Sequence, residues 1–312
     1  MKQRYIHFNF HRATLELIVT LDALIADYVS QGFMLSVRQL YYQCIARDIF
    51  PDTWIDVAYN RKQGLPEDTK NTLKNYKRLA SILNDARLAG LLDWDAIEDR
   101  GRRVKMRNRY QSGKDVLDIA QAGYHMDHWF GQRKRVFVIV EKDALSDVLS
   151  GPCYRWDTPL LAARGYPSVS ALRSMALTHF IPAIQEGQEP VILHLGDHDP
   201  SGIDMTRDLS ERLNLFAGRE LNLQRIALTM QQIEETDPPP NPAKVTDSRF
   251  KEYEAEHGDE SWELDALEPA YLVKLLEKHI KRHVSMPTWN ARTAEIEGVR
   301  EKLKTVHDNF ED

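Results

Sequence analysis

The amino-acid sequence predicts a mostly helical α+β domain over residues 1–130, followed by an α/β domain over residues 131–312. Two apolar runs in the second half, residues 136–140 and 191–195, are rich in β-branched side chains and are typical of buried parallel strands. Helical patterns fill much of the interval between them, including residues 170–180, and strands that alternate with helices indicate a parallel sheet. The first half shows helical spacing instead, so the fold class changes between the two halves.

The composition indicates a folded protein of one large or two ordinary domains, since 312 residues with 42% hydrophobic content can bury sizeable cores. Only Cys44 and Cys153 occur, too few for a disulfide framework or a cysteine-rich zinc site, so we expect a cytoplasmic protein. The most apolar early stretch contains Glu16, Asp22 and Asp27 and lacks a cleavage pattern. It is expected to be a core helix, neither a signal peptide nor a membrane span.

Positive charge is concentrated in the first half of the chain. Residues 1–134 carry 21 Lys and Arg against 16 Asp and Glu, a formal charge of +5, whereas residues 135–312 carry 20 against 31, a charge of −11. The densest basic run consists of Arg100, Arg102, Arg103, Lys105, Arg107 and Arg109. Such a run suits contact with the phosphates of a nucleic acid, although solvated clusters of Lys and Arg are also common without that partner.

Two helices are predicted at the start of the first domain. The first has apolar residues at helical spacing and stops before Gly32. Its core residues are Leu17, Ile18, Leu21, Leu24, Ile25 and Tyr28. The second covers residues 37–47 and begins at Ser36, which forms the S-x-x-Q pattern of a capping box with Gln39.

A third helix with a basic side is predicted to end near Gly90. Its expected core residues are Leu73, Tyr76, Ala80, Leu83 and Ala86. Its expected basic residues are Lys74, Lys77 and Arg78. The stretch that follows is compatible with a small hairpin or wing. Two helices, a basic helix and a wing are the pattern of a winged-helix domain, which predicts double-stranded DNA as the partner.

Both predicted strands of the second domain end in acids. Glu141 follows the first, and Asp197 and Asp199 follow the second. Because ligands of open α/β sheets bind at the carboxyl ends of the strands, we expect the three carboxylates to converge there. Alternate residues of extended backbone face alike, and hard oxygen ligands favour Mg²⁺, which binds phosphates. The alternative is that these acids are ordinary turn residues.

Several histidines are weaker candidates. His198 lies between the two aspartates and is expected to reach a bound phosphate, whereas His194 lies within an apolar strand and is expected in the core. Two pairs have helical metal-like spacing: His125 with His128, and His279 with His283. No third ligand is evident for either pair, so neither is expected to bind a metal.

The acidic pattern resembles the Toprim domain, in which a strand that ends in Glu precedes a strand that ends in Asp-x-Asp. Four segments narrow the resemblance: Val-Glu-Lys-Asp-Ala at 140–144, Gly-Tyr-Pro-Ser at 165–168, Asp-His-Asp-Pro-Ser-Gly at 197–202 and Trp-Glu-Leu-Asp-Ala-Leu at 262–267. They resemble the A subunit of topoisomerase VI, whose family includes the meiotic double-strand-break protein, and the chain is similar to its compact forms. The family implies a catabolite-activator-like winged helix followed by the Toprim domain.

The family also implies a nucleophilic tyrosine within Arg-x-x-Tyr-Tyr, and residues 38–42 match this pattern. Helical spacing assigns Tyr41 to the core face and turns Tyr42 about 100° away, which predicts an exposed Tyr42. Arg38 lies one turn earlier on the same face as Tyr42, where its guanidinium would hold a phosphate. Tyr42 is therefore the expected nucleophile, with a packing pair of tyrosines as the alternative.

The leading hypothesis is cleavage of a DNA phosphodiester by Tyr42, with Arg38 and Glu141 as further catalytic residues. Glu141, Asp197 and Asp199 are the expected Mg²⁺ ligands, and Lys142 is an expected DNA contact. The resemblance implies a 5′-phosphotyrosyl link and a homodimer in which the tyrosine of one subunit meets the acids of the other; it also makes Glu263 a further candidate site residue.

A nucleotide-binding G-x-x-x-x-G-K-[ST] pattern is absent from the sequence, so ATP-driven strand passage would need a separate ATPase subunit. Two other hypotheses remain open. In the first, the chain is a Toprim nuclease in which metal-activated water attacks and the tyrosine only contacts DNA. In the second, it is a non-catalytic DNA-binding module.

Overall fold

The computed structural model describes residues 2–98 and 109–311. The first half of this part of the chain is mostly helical. Its elements are α1 (Arg12–Ser30), β1 (Leu35–Ser36), α2 (Val37–Ala46), α3 (Val57–Gln63), α4 (Leu73–Leu88), β2 (Ile97–Glu98) and α5 (Gly113–Gly123).

The first two predicted helices form, with the predicted core residues and the predicted capping box. All six predicted core residues of α1 are buried. Both halves of the capping box at the start of α2 are present, because Ser36 accepts a hydrogen bond from the Gln39 backbone N–H and the Gln39 side chain accepts one from the Ser36 N–H. These bonds satisfy amide groups that the first turn of a helix leaves unpaired.

Helix α4 ends at Leu88 as predicted, and its three basic residues are exposed. One core assignment is wrong, since Leu73 is 60% exposed. Asn75 turns inward instead and donates hydrogen bonds to the carbonyls of Trp54 and Lys70. These bonds rotate the buried face of the helix away from Leu73.

The described residues do not show the predicted hairpin or wing. Strand β2 pairs with β1, and the two strands run parallel, so this pair is not a hairpin. Residues 99–108 lie outside the described residues, and with them lie five members of the basic run: Arg100, Arg102, Arg103, Lys105 and Arg107. Arg109 is described and is exposed.

The second half alternates strands and helices and then ends in helices. Its first elements are β3 (Lys134–Val140), α6 (Ser146–Arg155), β4 (Leu160–Ala162), α7 (Val169–Met175), α8 (Ile181–Gln185), β5 (Glu189–Leu195), α9 (Pro200–Ala217) and β6 (Asn222–Ala227). They are followed by α10 (Met230–Thr236), β7 (Asn241–Pro242), α11 (Phe250–His257), β8 (Glu260–Ser261), α12 (Pro269–Lys281) and α13 (Met286–Asp308).

Four of these strands form one parallel sheet in the order β4-β3-β5-β6, which confirms the α/β class. Val138 of β3 packs with α6 and α12 on one face, and Phe137 packs with α7 and α9 on the other. Apolar runs are therefore buried on both sides of the sheet. Val140 pairs with Leu195, so β3 and β5 end side by side.

The two halves of the chain contact each other through α1, α2 and the segment before α12. Tyr28 donates a hydrogen bond to Glu268 at 2.6 Å, and Ala266 packs into the core of the first half. This contact brings α2, which carries the two adjacent tyrosines, beside the carboxyl edge of the sheet. None of the described helices combines the length and apolar character that crossing a membrane requires.

Candidate metal and phosphate site

A cleft of about 530 Å³ lies at the carboxyl ends of β3 and β5. The acids that line it are Glu141, Asp143, Asp197, Asp199, Glu263 and Asp265. Its basic lining residues are Arg38, Lys142, Arg164 and Lys244. The structure therefore brings the three predicted acidic ligands into one cleft, together with the predicted phosphate-binding arginine.

The chain after β5 is packed tightly against Glu141. The Asp197 backbone N–H donates a hydrogen bond to Glu141 Oε2 at 2.9 Å. A Cβ atom at Gly196 would lie 3.0 Å from that same oxygen, closer than ordinary van der Waals contact. A glycine between strand and aspartate thus allows the two carboxylates to approach each other.

Asp199 has a local role as well as a place in the cleft. Its side chain is the N-cap of α9, and Oδ1 accepts hydrogen bonds from the Gly202 N–H at 2.6 Å and from the Ser201 hydroxyl at 2.8 Å. A Cβ at Gly202 would lie 2.2 Å from the Asp197 carbonyl oxygen, so only glycine fits this turn. The segment Asp-x-Asp-Pro-Ser-Gly is therefore a helix-capping turn that presents Asp199 to the cleft.

Arg225 of β6 binds the backbone of the turn that contains Asp199. Its guanidinium donates to the backbone carbonyls of Gly196 at 3.0 Å, Asp197 at 2.5 Å and Gly202 at 2.9 Å. Burial lowers the pKa of Arg225 to about 10, although Glu141 acts in the opposite direction. Arg225 was not among the residues predicted from the sequence, where its signal is an arginine inside a strand of a buried sheet.

Lys142 is an internal counter-ion of the cleft. Its Nζ lies 2.9 Å from Asp197, 2.6 Å from Glu263 and 3.2 Å from Asp265, and the side chain is 19% exposed. Burial alone would lower the pKa of Lys142, but the three acids raise it. Three carboxylates within the chain engage the charge of Lys142, which also lines the cleft, and its contact with DNA stays a prediction.

The carboxyl groups of the cleft have pKa values shifted in opposite directions. Burial raises the pKa of Glu141 and of Asp197, and each lies close to another carboxylate that adds to the shift. Burial would also raise the pKa of Glu263, but Lys142 and Arg38 lower it to about 2. Two cations thus stabilise the charged form of Glu263, whereas Glu141 and Asp197 repel each other.

Arg38 joins α2 to the acidic cleft. Its guanidinium donates to both oxygens of Glu263, with Nε at 2.9 Å from Oε2 and the second bond shorter still. This paired geometry is the one in which arginine also binds phosphate. Glu263, a candidate site residue from the sequence, is thus the partner of Arg38 in this structure.

Tyr42 is 3% exposed, so the prediction of an exposed Tyr42 is wrong. The segment at β7 covers it, and Asn241 donates a hydrogen bond to its hydroxyl at 3.3 Å. Burial raises the pKa of Tyr42, and the charge of Glu263 raises it further. Tyr41 is in the core as predicted, and its hydroxyl accepts a hydrogen bond from the Thr72 N–H at 2.7 Å.

Tyr42 nevertheless lines a second cleft of about 390 Å³, which adjoins the acidic one. The two clefts share Arg38, Asn241, Pro242 and Glu263. The Arg38–Glu263 pair therefore lies in the wall between the tyrosine and the acids.

His198 does not face the cleft, so its predicted contact with a phosphate is wrong. It is 3% exposed, and its Nδ1 lies 2.8 Å from the Tyr253 hydroxyl. The same alternation that points Asp197 and Asp199 into the cleft points the residue between them away. His194 is fully buried as predicted, with Nδ1 at 3.0 Å from the Thr206 hydroxyl.

Two of the three basic residues of α4 have partners within the chain. Lys74 forms an ion pair with Asp56, and the Arg78 guanidinium lies 4.4 Å from the centre of the Trp54 ring. Lys77 is exposed. Contact of these three residues with DNA stays a prediction.

A different group also offers potential metal ligands in the described residues. His125, His128 and Asp157 each offer a ligand atom, and these atoms lie within 4.8 Å of one another. The two histidines lie in the connection between α5 and β3, outside any helix. The sequence shows no third ligand for this pair, and the structure supplies one in Asp157, from the loop after α6.

Comparison of the chain with protein-family models, with curated proteins and with solved structures finds no match.

Proposed function

We propose that this protein cleaves DNA by Mg²⁺-dependent phosphodiester chemistry, with Tyr42 as the nucleophile. The observation that carries the proposal is the shared wall of the two clefts. An acidic cleft suited to Mg²⁺ and a cleft lined by Tyr42 meet at Arg38 and Glu263. The proposal includes the winged-helix and Toprim architecture that the sequence resembles.

The donor atoms of the cleft fit Mg²⁺. Glu141 and Asp199 each use one carboxylate oxygen within the chain, and within the described residues the other oxygen of each accepts no hydrogen bond. Asp197 has one oxygen on the Leu264 N–H and the other beside Lys142. Two carboxylates with free oxygens, and a third nearby, are the ligands that Mg²⁺ combines with waters and phosphates. A bound Mg²⁺ would supply positive charge to a phosphoryl group under attack.

Arg38 and Lys142 would prepare the site for the substrate. In the absence of a substrate, both cations pair with Glu263. A phosphate that takes the Arg38 guanidinium would displace Glu263. The phosphodiester anion would take over the negative charge that Glu263 places near Tyr42, so the positive charge of Arg38 and of a bound Mg²⁺ would have to favour the phenolate.

The covalent step exchanges one ester bond for another. The Tyr42 oxygen forms a bond to phosphorus, and the bond from phosphorus to the sugar oxygen breaks. The phenol loses its proton, and the leaving sugar oxygen gains one. The resemblance to topoisomerase VI A subunits favours attachment of Tyr42 to the 5′ end, which leaves a free 3′ hydroxyl.

DNA would lie across the basic surface of the first half. The proposed contacts are Lys74, Lys77, Arg78 and Arg109, with the basic run outside the described residues. Because these contacts neutralise phosphates, affinity should fall steeply as salt rises.

A homodimer that makes paired cuts is part of the proposal, and a separate ATPase subunit would be needed for strand passage. Mixing two inactive variants tests whether subunits share a site. If Tyr42 acts with the acids of a partner, a mixture of Tyr42→Phe and Asp199→Asn regains cleavage. If Tyr42 instead acts with the acids of its own chain, the mixture stays inactive.

Hydrolysis by water is the second candidate function, and the burial of Tyr42 favours it. A tyrosine that is 3% exposed, with a raised pKa, must be uncovered before it can attack. Water needs no such movement. In this case the acidic cleft would catalyse hydrolysis of the phosphodiester bond, and no covalent adduct with the protein would form.

One experiment separates these functions. Supercoiled plasmid is incubated with the protein and Mg²⁺, the reaction is stopped with detergent, and gels are compared with and without protease. The proposal predicts protein-linked breaks that Tyr42→Phe abolishes and that Tyr59→Phe, a matched change in the same cleft, retains. Breaks without adduct, retained in Tyr42→Phe, indicate hydrolysis. Binding without any break indicates a DNA-binding module and contradicts both enzyme functions.

A further inference from the structure

The amino-terminal edge of the sheet carries a second group of ligands, at the opposite end from the acidic cleft. His125 and His128 precede β3, and Asp157 precedes β4. Both strands begin at this edge because the sheet is parallel. The group thus joins the connection between the two halves of the chain to the loop after α6.

The spacing of the group matches a metal with imidazole and carboxylate ligands. His125 Nε2 lies 3.1 Å and His128 Nδ1 lies 3.8 Å from Asp157 Oδ2. Zinc binds nitrogen and oxygen at about 2.0–2.2 Å, which in a tetrahedron separates neighbouring ligand atoms by roughly 3.3–3.5 Å. These two separations lie on either side of this range and all three ligand atoms lie within 4.8 Å of one another, so a shift of the exposed His125 side chain would complete the geometry.

His128 presents an unpartnered nitrogen to the group. The residue is 9% exposed, and its Nδ1 has no hydrogen-bond partner. Its Nε2 lies 3.2 Å from the Thr293 hydroxyl, which itself donates to the Trp289 carbonyl at 3.1 Å. Because a hydroxyl has one proton, Thr293 accepts from the Nε2–H, and this tautomer leaves a lone pair on Nδ1. A second hydrogen bond that fixes the tautomer in this way is typical of metal-bound histidine.

The surroundings hold two of the three ligands in place. The His128 ring stacks on Trp289 at 4.4 Å, and its backbone N–H donates to Asp157 Oδ2 at 2.9 Å. Trp129 donates to the Asp157 carbonyl at 2.8 Å, where the backbone has a φ of 44°. The nearby charges Asp127 and Arg292 pair with Arg135 and Glu295.

We propose that His125, His128 and Asp157 bind a divalent transition-metal ion of the zinc class, with solvent at the fourth position. The His125 side chain is 44% exposed, which gives an ion and a water molecule access to the group. Imidazole ligands select Zn²⁺ over Mg²⁺, so the two ends of the sheet would bind different metals. The bound ion ties the connection before β3 to the loop after α6, and its role is separate from DNA cleavage.

Zinc binding by the full chain tests this proposal. Zn²⁺ is titrated in competition with a chromogenic chelator, with excess Mg²⁺ present to occupy the acidic cleft. We expect one strong site, with affinity at least tenfold lower in His125→Ala and in Asp157→Asn. Asparagine tolerates a positive φ and still accepts the His128 N–H bond, so Asp157→Asn should fold. Thr293→Val should weaken binding by about 10–100-fold, because it removes the hydrogen bond that orients His128.

Three control variants keep the test specific. His7→Ala removes an exposed histidine, the double variant His279→Ala/His283→Ala removes the other spaced pair, and Asp199→Asn alters the acidic cleft. All three should retain the site, and Zn²⁺ should raise the Tm of the controls but not of Asp157→Asn. Unchanged zinc affinity in both His125→Ala and Asp157→Asn overturns the proposal, as does loss of the site in Asp199→Asn. Absence of a strong site in the wild type overturns it as well.

Discussion

The two edges of the parallel sheet hold their charged groups in different ways. At the carboxyl edge, Lys142 and Arg38 neutralise Glu263 and Asp197 within the chain. At the amino edge, His128 Nδ1 has no partner. Glu263 and Asp197 are thus paired with cations of the chain itself, whereas the histidine group keeps a free lone pair on His128 Nδ1. A phosphate at Arg38 must therefore displace Glu263, whereas a metal at the amino edge replaces only the contact between His125 Nε2 and Asp157 Oδ2.

The largest expected effect is on stability at the carboxyl edge. Lys142→Met leaves Asp197, Glu263 and Asp265 without their shared cation, and breaking a buried ion pair typically costs about 3–5 kcal/mol. Urea unfolding in EDTA measures this cost. Mg²⁺ should restore part of the lost stability, because it replaces the missing positive charge.

A lysine at the amino edge provides the control for this change. Lys134 lies 3.9 Å from Glu189, and both side chains are partly exposed. Such a pair contributes about 0–1 kcal/mol, so Lys134→Met should change stability little. Equal losses of stability in Lys142→Met and Lys134→Met would mean that the buried lysine contributes no more than the exposed one.

The next largest expected effect is on the rate of DNA cleavage. Asp199→Asn keeps a good N-cap for α9 but removes a ligand charge. Metal ions contribute several kcal/mol to transition-state charge stabilisation, so DNA cleavage should fall by at least about a hundredfold. Plasmid cleavage rates measure the loss, with Asp208→Asn on the same helix as a control. A rate that stays within a few-fold of wild type would remove Asp199 from the proposed site.

A smaller effect concerns pH. Lys142 and Arg38 lower the pKa of Glu263, so the folded carboxylate binds a proton less readily than the unfolded one. Its stabilisation is complete above the ordinary pKa of 4.5 and is lost as pH falls toward about 2. Glu263→Gln should therefore cost about 2 kcal/mol near neutral pH, where charged hydrogen bonds are lost, and less at pH values below 4.5.

Urea midpoints of wild type and Glu263→Gln across this pH interval provide the measurement. The gap between the two proteins should narrow steadily in acid. A gap that is constant with pH would show that Glu263 acts through packing, since only its charge titrates.

The sequence predicts the carboxyl edge better than the amino edge, for a physical reason. Glu141 and Asp197 directly follow neighbouring strands, so strand periodicity alone brings them together. Asp157 lies in a loop, and its distance from His128 depends on how α6 and α13 pack, which no local pattern expresses. The histidine pair consequently lacked its third ligand until the structure supplied it.

The burial of Tyr42 shows a second limit of local patterns. Helical periodicity correctly assigned Tyr41 to the core, but it describes only one helix and its nearest partners. Tyr42 lies on a different face of the helix. The segment at β7 that covers it lies almost 200 residues later in the chain. Likewise, Arg38 was expected to meet a phosphate, and the structure pairs it with Glu263, another distant residue.

The most direct test of the central claim is the location of DNA on the protein after cleavage. The covalent complex is trapped with detergent, digested with nuclease and trypsin, and analysed by tandem mass spectrometry. Residues 39–47 form one tryptic peptide that contains both Tyr41 and Tyr42. The proposal predicts a nucleotide on Tyr42. A nucleotide on Tyr41, on another residue, or on none while the DNA is nevertheless cut would contradict it.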